Sequence, residues 1–135
     1  MEYKIETRSA KTRKFMTAIM PSFIRQLGLS NSRKVVVVRV ERTTEEHVGY
    51  TINIDELDAY MVVIKPGKLS EMGVTLAHEM VHVQQMAKGL LKPKGNGVNL
   101  WCGKRYPKKT KYLESPWELG AFAKQEIIFR KALEE

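Results

Sequence analysis

The chain has 135 residues, 43% of them hydrophobic, with 23 Lys and Arg against 15 Asp and Glu for a net charge of +8, and a single cysteine. That length supports one hydrophobic core and not two, so a single domain over residues 1–135 is expected. No apolar run reaches membrane-span length, the start Met1-Glu2-Tyr3-Lys4-Ile5-Glu6 lacks a signal-peptide core, and a lone Cys102 cannot close an internal disulfide, so a cytoplasmic protein with no membrane contact is expected.

From about Lys11 to Leu27, Phe15, Ile19, Phe23 and Leu27 recur every four residues, which predicts a helix with one apolar face. Pro21 interrupts it and predicts a kink or two short helices, and Gly28 supplies the stop. Val35-Val36-Val37-Val38-Arg39-Val40 reads as a strand buried on both faces. His47 to Ile54 and Ala59 to Lys65 read as two more strands, with Asp55 to Asp58 as their turn and Pro66-Gly67 as the terminator. A helix is expected from Leu69 or Ser70 to Lys88, ended by Gly89. Lys92 to Lys111, rich in Gly and Pro, reads as a long loop holding a short strand or hairpin near Val98 to Trp101. A last helix starts at Ser115-Pro116-Trp117-Glu118. The expected fold is α+β: an N-terminal helix, a mixed or antiparallel sheet of three or four strands, a second helix beneath it and a C-terminal helix.

The second helix carries Leu76-Ala77-His78-Glu79-Met80-Val81-His82, an H-E-x-x-H pattern that uses two of the three histidines in the chain. Residues four apart share a helix face, so His78 and His82 can offer two imidazole nitrogens to one Zn²⁺. Glu79 on the adjoining face can reach a water and take its proton, the role of a general base. A catalytic zinc site needs a third protein ligand. No histidine follows His82, which leaves His47, Cys102 or a carboxylate, and the nearest carboxylates downstream are Glu114 and Glu118. Ser115-Pro116-Trp117-Glu118 is also a capping box, so Glu118 has a competing structural role at the helix start.

Taken together, Leu76 to Gln85, Trp101-x-Gly103-Lys104-x-Tyr106 and Tyr112-x-x-x-Pro116-Trp117-Glu118-x-x-Ala121 resemble a group of small SprT-like, zincin-type metallopeptidases met in phage genomes. The run from Val62 to His82 is also similar to the SprT and Spartan domains, whose third ligand is a histidine that this chain lacks downstream. The phage resemblance implies a minimal zincin-like domain, Glu118 as the zinc ligand and, for a phage-encoded protein, residence in the host cytoplasm. The group usually reads P-W-E-x-E-A, and here Gly120 replaces the second glutamate. The implied activity is peptide-bond hydrolysis, with His78, His82 and Glu118 on zinc, Glu79 as base, and a strand at Ala59 to Lys65 as the edge that pairs with an extended peptide or protein substrate. An oxyanion donor is also required, and Arg105, Tyr106 and Tyr112 are candidates.

Two basic clusters, Lys4 to Lys14 and Lys104 to Lys111, point to a second class of function. The latter is interleaved with Trp101, Tyr106 and Tyr112, so a nucleic-acid contact through basic patches is an alternative expectation. In that reading the protein is a protease of DNA-bound proteins or a zinc-stabilised binding module. A third reading is a closed structural metal site, with Cys102 or Glu114 as fourth ligand.

Overall fold

Glu2, Lys4 and Glu6 alternate with Tyr3 and Ile5, and this period of two makes the first element a strand, β1 (Glu2–Glu6), ahead of the expected helix. The computed structural model describes residues 1–43 and 47–135. Helix α1 (Ala10–Gln26) follows, and it runs unbroken through Pro21. The proline has no N–H for the carbonyl of Thr17 one turn back, and the Tyr3 hydroxyl donates to that oxygen at 3.2 Å instead. The carbonyl left without its helical donor is thus satisfied from β1. Gly28, at φ +69°, ends the helix. Its N–H bonds to Arg25 O and that of Leu29 to Ile24 O, closing a Schellman cap.

Strands β2 (Val35–Val40), β3 (Gly49–Ile54) and β4 (Ala59–Ile64) complete a mixed four-stranded sheet in the order β1-β2-β4-β3. β1, β2 and β4 are parallel, and β3 is antiparallel to β4. Val36 and Val38 of β2 are fully buried, whereas its alternate residues are half-covered, so β2 buries one face and not both. The most enclosed strand is β4, with five of its six residues buried. β4 therefore lies inside the sheet, and the expectation that Ala59 to Lys65 forms the edge is corrected: the edges are β1 and β3, and β3 is the one packed against the second helix. A long apolar run needs neighbours on both sides, while β3, with Tyr50 and Ile52 exposed and Thr51 turned inward, fits an edge position.

Helix α2 (Leu69–Ala87) packs on β3 and β4 and buries eleven residues, and α3 (Pro116–Glu134) packs on α1 and α2. Between them, β5 (Leu91–Gly95), β6 (Val98–Trp101) and β7 (Lys104–Tyr106) form an antiparallel meander where mostly loop was expected. Both of its turns are two-residue hairpins with positive φ throughout, Asn96-Gly97 (53° and 77°) and Cys102-Gly103 (50° and 85°), the backbone hand that matches strand twist. Among the described residues the fold is α+β, with three α-helices and two sheets.

The approach of α2 to α3 depends on Gly73. A Cβ built there would lie 2.2 Å from the Phe129 ring, which itself joins the main core. Gly73→Ala forces the ring out of its place and should destabilise the fold by about 1–3 kcal/mol, read as a lower denaturant midpoint at unchanged slope.

Candidate metal centre

The helical pitch of α2 stacks His78 and His82 on one side, with their rings in edge-to-face contact at 4.9 Å between centroids. Both are buried, as is Glu79 between them, and the ligand atoms of the three lie within 4.8 Å of one another, a group able to hold a metal ion. The first turn of α3 brings a further carboxylate. Glu118 Oε1 stands 3.0 Å from His78 Nε2 and 2.8 Å from His82 Nε2, across a separation of 40 and 36 residues.

The other nitrogen of each ring is held by an amide. His82 Nδ1 is 2.8 Å from Gln85 Oε1, and His78 Nδ1 is 2.8 Å from Gln125 Oε1. The orientation of Gln85 is fixed independently, because its Nε2 donates to the Trp117 carbonyl at 3.0 Å. A glutamine oxygen can only accept, so Nδ1 carries the proton on His82, and by the same reasoning on His78, leaving each Nε2 with a lone pair. Two such lone pairs, each within 3.0 Å of the same carboxylate oxygen, are repelled by it unless positive charge stands among them, as protons on the rings or as a cation. Two imidazoles and a carboxylate are the donor set of a catalytic zinc site, so the residues fit such an ion.

The capping box does not form. Ser115 makes no side-chain cap and its hydroxyl donates to the Lys111 carbonyl at 3.0 Å, so the Glu118 carboxylate is free to turn inward. Burial alone would raise the Glu118 carboxyl, but its bonds to His78 and His82 more than offset this and hold it at about 2. On His82, burial favours the neutral ring, yet Glu118, Glu79 and Gln85 together raise its pKa above the ordinary histidine value.

Glu79 is set apart from this cluster by a different partner. The Thr51 hydroxyl of β3 donates to Glu79 Oε1 at 2.8 Å. Burial raises the carboxyl above the ordinary range, and His82, Thr51 and His78 offset only part of that. The close approach of β3 needs Gly49, where a Cβ would meet Thr75 Cγ2 at 2.8 Å and Glu79 Cγ at 3.3 Å.

These groups line a cleft of about 660 Å³ between β3, α2, the meander and the start of α3. His47 reaches its rim, and Tyr112 lines it near Glu118. The Tyr112 hydroxyl is raised above the ordinary phenol by burial and by the Glu118 and Glu79 charges, so it stays a proton donor at neutral pH. Of the three oxyanion candidates Tyr112 alone lines the cleft; Tyr106 packs edge-on against Trp117 at 5.3 Å, and Arg105 is exposed on β7. Cys102 sits exposed in the β6–β7 turn and Glu114 is exposed before α3, so neither joins the cleft.

Sequence reading missed Thr51, Gln85 and Gln125. Two of them had a helical signal: Gln85 follows His82 by three positions and Gln125 follows Glu118 by seven, both spacings that stay on one helix face. Compared with models of protein families, with curated proteins and with solved structures, the chain finds no match, and its own geometry carries the reading that follows.

Gln85→Leu and Gln125→Leu should each weaken metal binding by about 10–100-fold, measured by chelator competition, with circular dichroism unchanged. Equal affinity in both variants would mean that the amides do not hold the rings. Since protons compete for His82, whose pKa is raised, affinity should fall as pH drops through the neutral range, while Glu118 stays ionised there.

Proposed function

We propose that the protein is a zinc-dependent peptidase of the zincin kind, with His78, His82 and Glu118 holding the metal and Glu79 acting as general base. The supporting observation is the meeting of both Nε2 atoms on one Glu118 oxygen while each Nδ1 is bound to a glutamine. Its resemblance in motif to the small SprT-like peptidases favours the same reading. Glu79 is the neighbouring carboxylate left over, since Thr51 holds it and no imidazole nitrogen claims it.

When bound, zinc supplies Lewis acidity and brings the pKa of a water toward neutrality. Glu79 takes the proton of the attacking water as oxygen bonds to the peptide carbonyl carbon, and delivers it to the amine nitrogen as the C–N bond breaks. Burial suits Glu79 to this work, because a raised pKa makes it a stronger base than an exposed glutamate. Thr51 fixes one carboxylate oxygen and leaves the other for the proton. Tyr112 donates to the carbonyl oxygen as negative charge gathers on it. β3 presents the unpaired backbone edge along the cleft, where an extended polypeptide adds as a strand.

Zinc-loaded protein should cleave a denatured protein substrate, with products read by mass spectrometry. Glu79→Gln should keep stoichiometric zinc and lose about 10²–10⁴-fold in rate, whereas Glu118→Ala should lose the zinc itself. Full activity in Glu79→Gln would overturn the mechanism. Tyr112→Phe should lower kcat with little change in KM, the pattern of a contact made only in the transition state.

A further inference from the structure

Two stretches of this chain are strongly basic, and one of them borders the cleft. Lys88 to Leu113 contains eight Lys and Arg and no Asp or Glu, and residues 1–40 contain nine Lys and Arg against Glu2 and Glu6. Of these two basic stretches, the one formed by the meander and the segments joined to it contains no acidic residue. All eight side chains, Lys88, Lys92, Lys94, Lys104, Arg105, Lys108, Lys109 and Lys111, are exposed, and among the described residues none is within salt-bridge distance of a carboxylate.

This charge stands beside the cleft. Leu91, Pro93 and Asn99 of the meander form part of the cleft wall, and the pairing register places Lys92 and Arg105 on either side of Leu100 on its reverse. Lys108 folds back over Gly97. Lys92 and Lys94 share β5 with the cleft-lining Leu91 and Pro93. They stand one strand spacing of about 5 Å or less from the wall, inside the Debye length of about 8 Å at physiological salt, while charges on the far strand, about 10 Å away, are partly screened. The wall itself is mostly apolar or neutral, with Val48, Val74, Met86, Leu91 and Phe122 among its residues.

We propose that the meander and the segment to Lys111 form a docking surface for acidic polypeptide, steering chains with an acidic stretch beside an apolar one into the cleft. The docking step stands on the charge distribution, and only the cleavage that follows rests on the peptidase reading. Nucleic acid is the other polyanion, but two of the three aromatic rings interleaved with the lysines are engaged, and the third, Tyr112, lines the cleft. Trp101 and Tyr106 pack toward Trp117 at 6.4 and 5.3 Å, and Lys104 lies over Tyr106 at 5.3 Å. The cleft beside this surface carries a strand edge suited to a polypeptide backbone.

The test is fluorescence anisotropy on zinc-loaded Glu79→Gln protein, which holds substrate without turnover. The probes are a labelled peptide with an apolar stretch followed by glutamates, its glutamine counterpart, and a single-stranded oligonucleotide of matched charge. The acidic peptide should bind roughly tenfold tighter than the glutamine one, with the margin shrinking as salt rises. Replacing Lys108, Lys109 and Lys111 together by glutamate should abolish that margin and by glutamine should reduce it, while the glutamine peptide binds all forms alike. Lys11→Glu with Lys14→Glu, in the basic N-terminal stretch that does not line the cleft, should leave the margin intact. Equal binding of the two peptides overturns the proposal, and so does tighter binding of the oligonucleotide. Acidic-peptide binding by a protein that cleaves nothing supports the docking surface and counts against the peptidase reading alone.

Discussion

One carboxylate oxygen has to touch two imidazoles that belong to another helix, and the arrangement of the rest of the domain follows from that demand. Glu118 cannot reach His78 and His82 unless the start of α3 lies against the middle of α2. Gly73 permits the close contact with Phe129 further along the two helices. At the Glu118 end, Gln85 ties α2 to the backbone of Trp117, the residue just before the carboxylate. The cluster is thus held by backbone and amide contacts that do not themselves carry charge, which leaves the charged atoms to face one another at short range.

The same economy of partners separates the two glutamates. Both carboxylates are near the same histidines, yet their environments drive them apart: Glu118 is held at about 2, while burial pushes Glu79 up. Two similar side chains pushed in opposite directions are what the proposed division between holding a metal and moving a proton requires. Thr51, on the edge strand, enforces the division by occupying Glu79.

Much of this was legible in the sequence, and the failures have physical reasons. The pitch of a helix is local, so His78, Glu79 and His82 announced themselves, and Gly28 and Gly89 marked helix ends where positive φ is needed. Pro21 misled because its missing donor is compensated by Tyr3, a residue outside the helix. The edge strand was misassigned because Ala59 to Ile64 is apolar for a reason no local pattern reveals, its position between β2 and β3. The meander was read mostly as loop, although Asn96-Gly97 is a strong hairpin signal; the lysines around it obscured the alternation. Thr51 and Gln125 are ordinary polar residues until tertiary packing aims them.

The order of these elements along the chain also has a consequence in time. A polypeptide made from its N-terminus presents the two histidines 40 and 36 residues before Glu118, and Gln125 later still. Until α3 docks, the imidazoles lack their common carboxylate and one of their two amide restraints. The growing chain therefore presents the two imidazoles before their cluster can assemble, and the docking of α3 completes it.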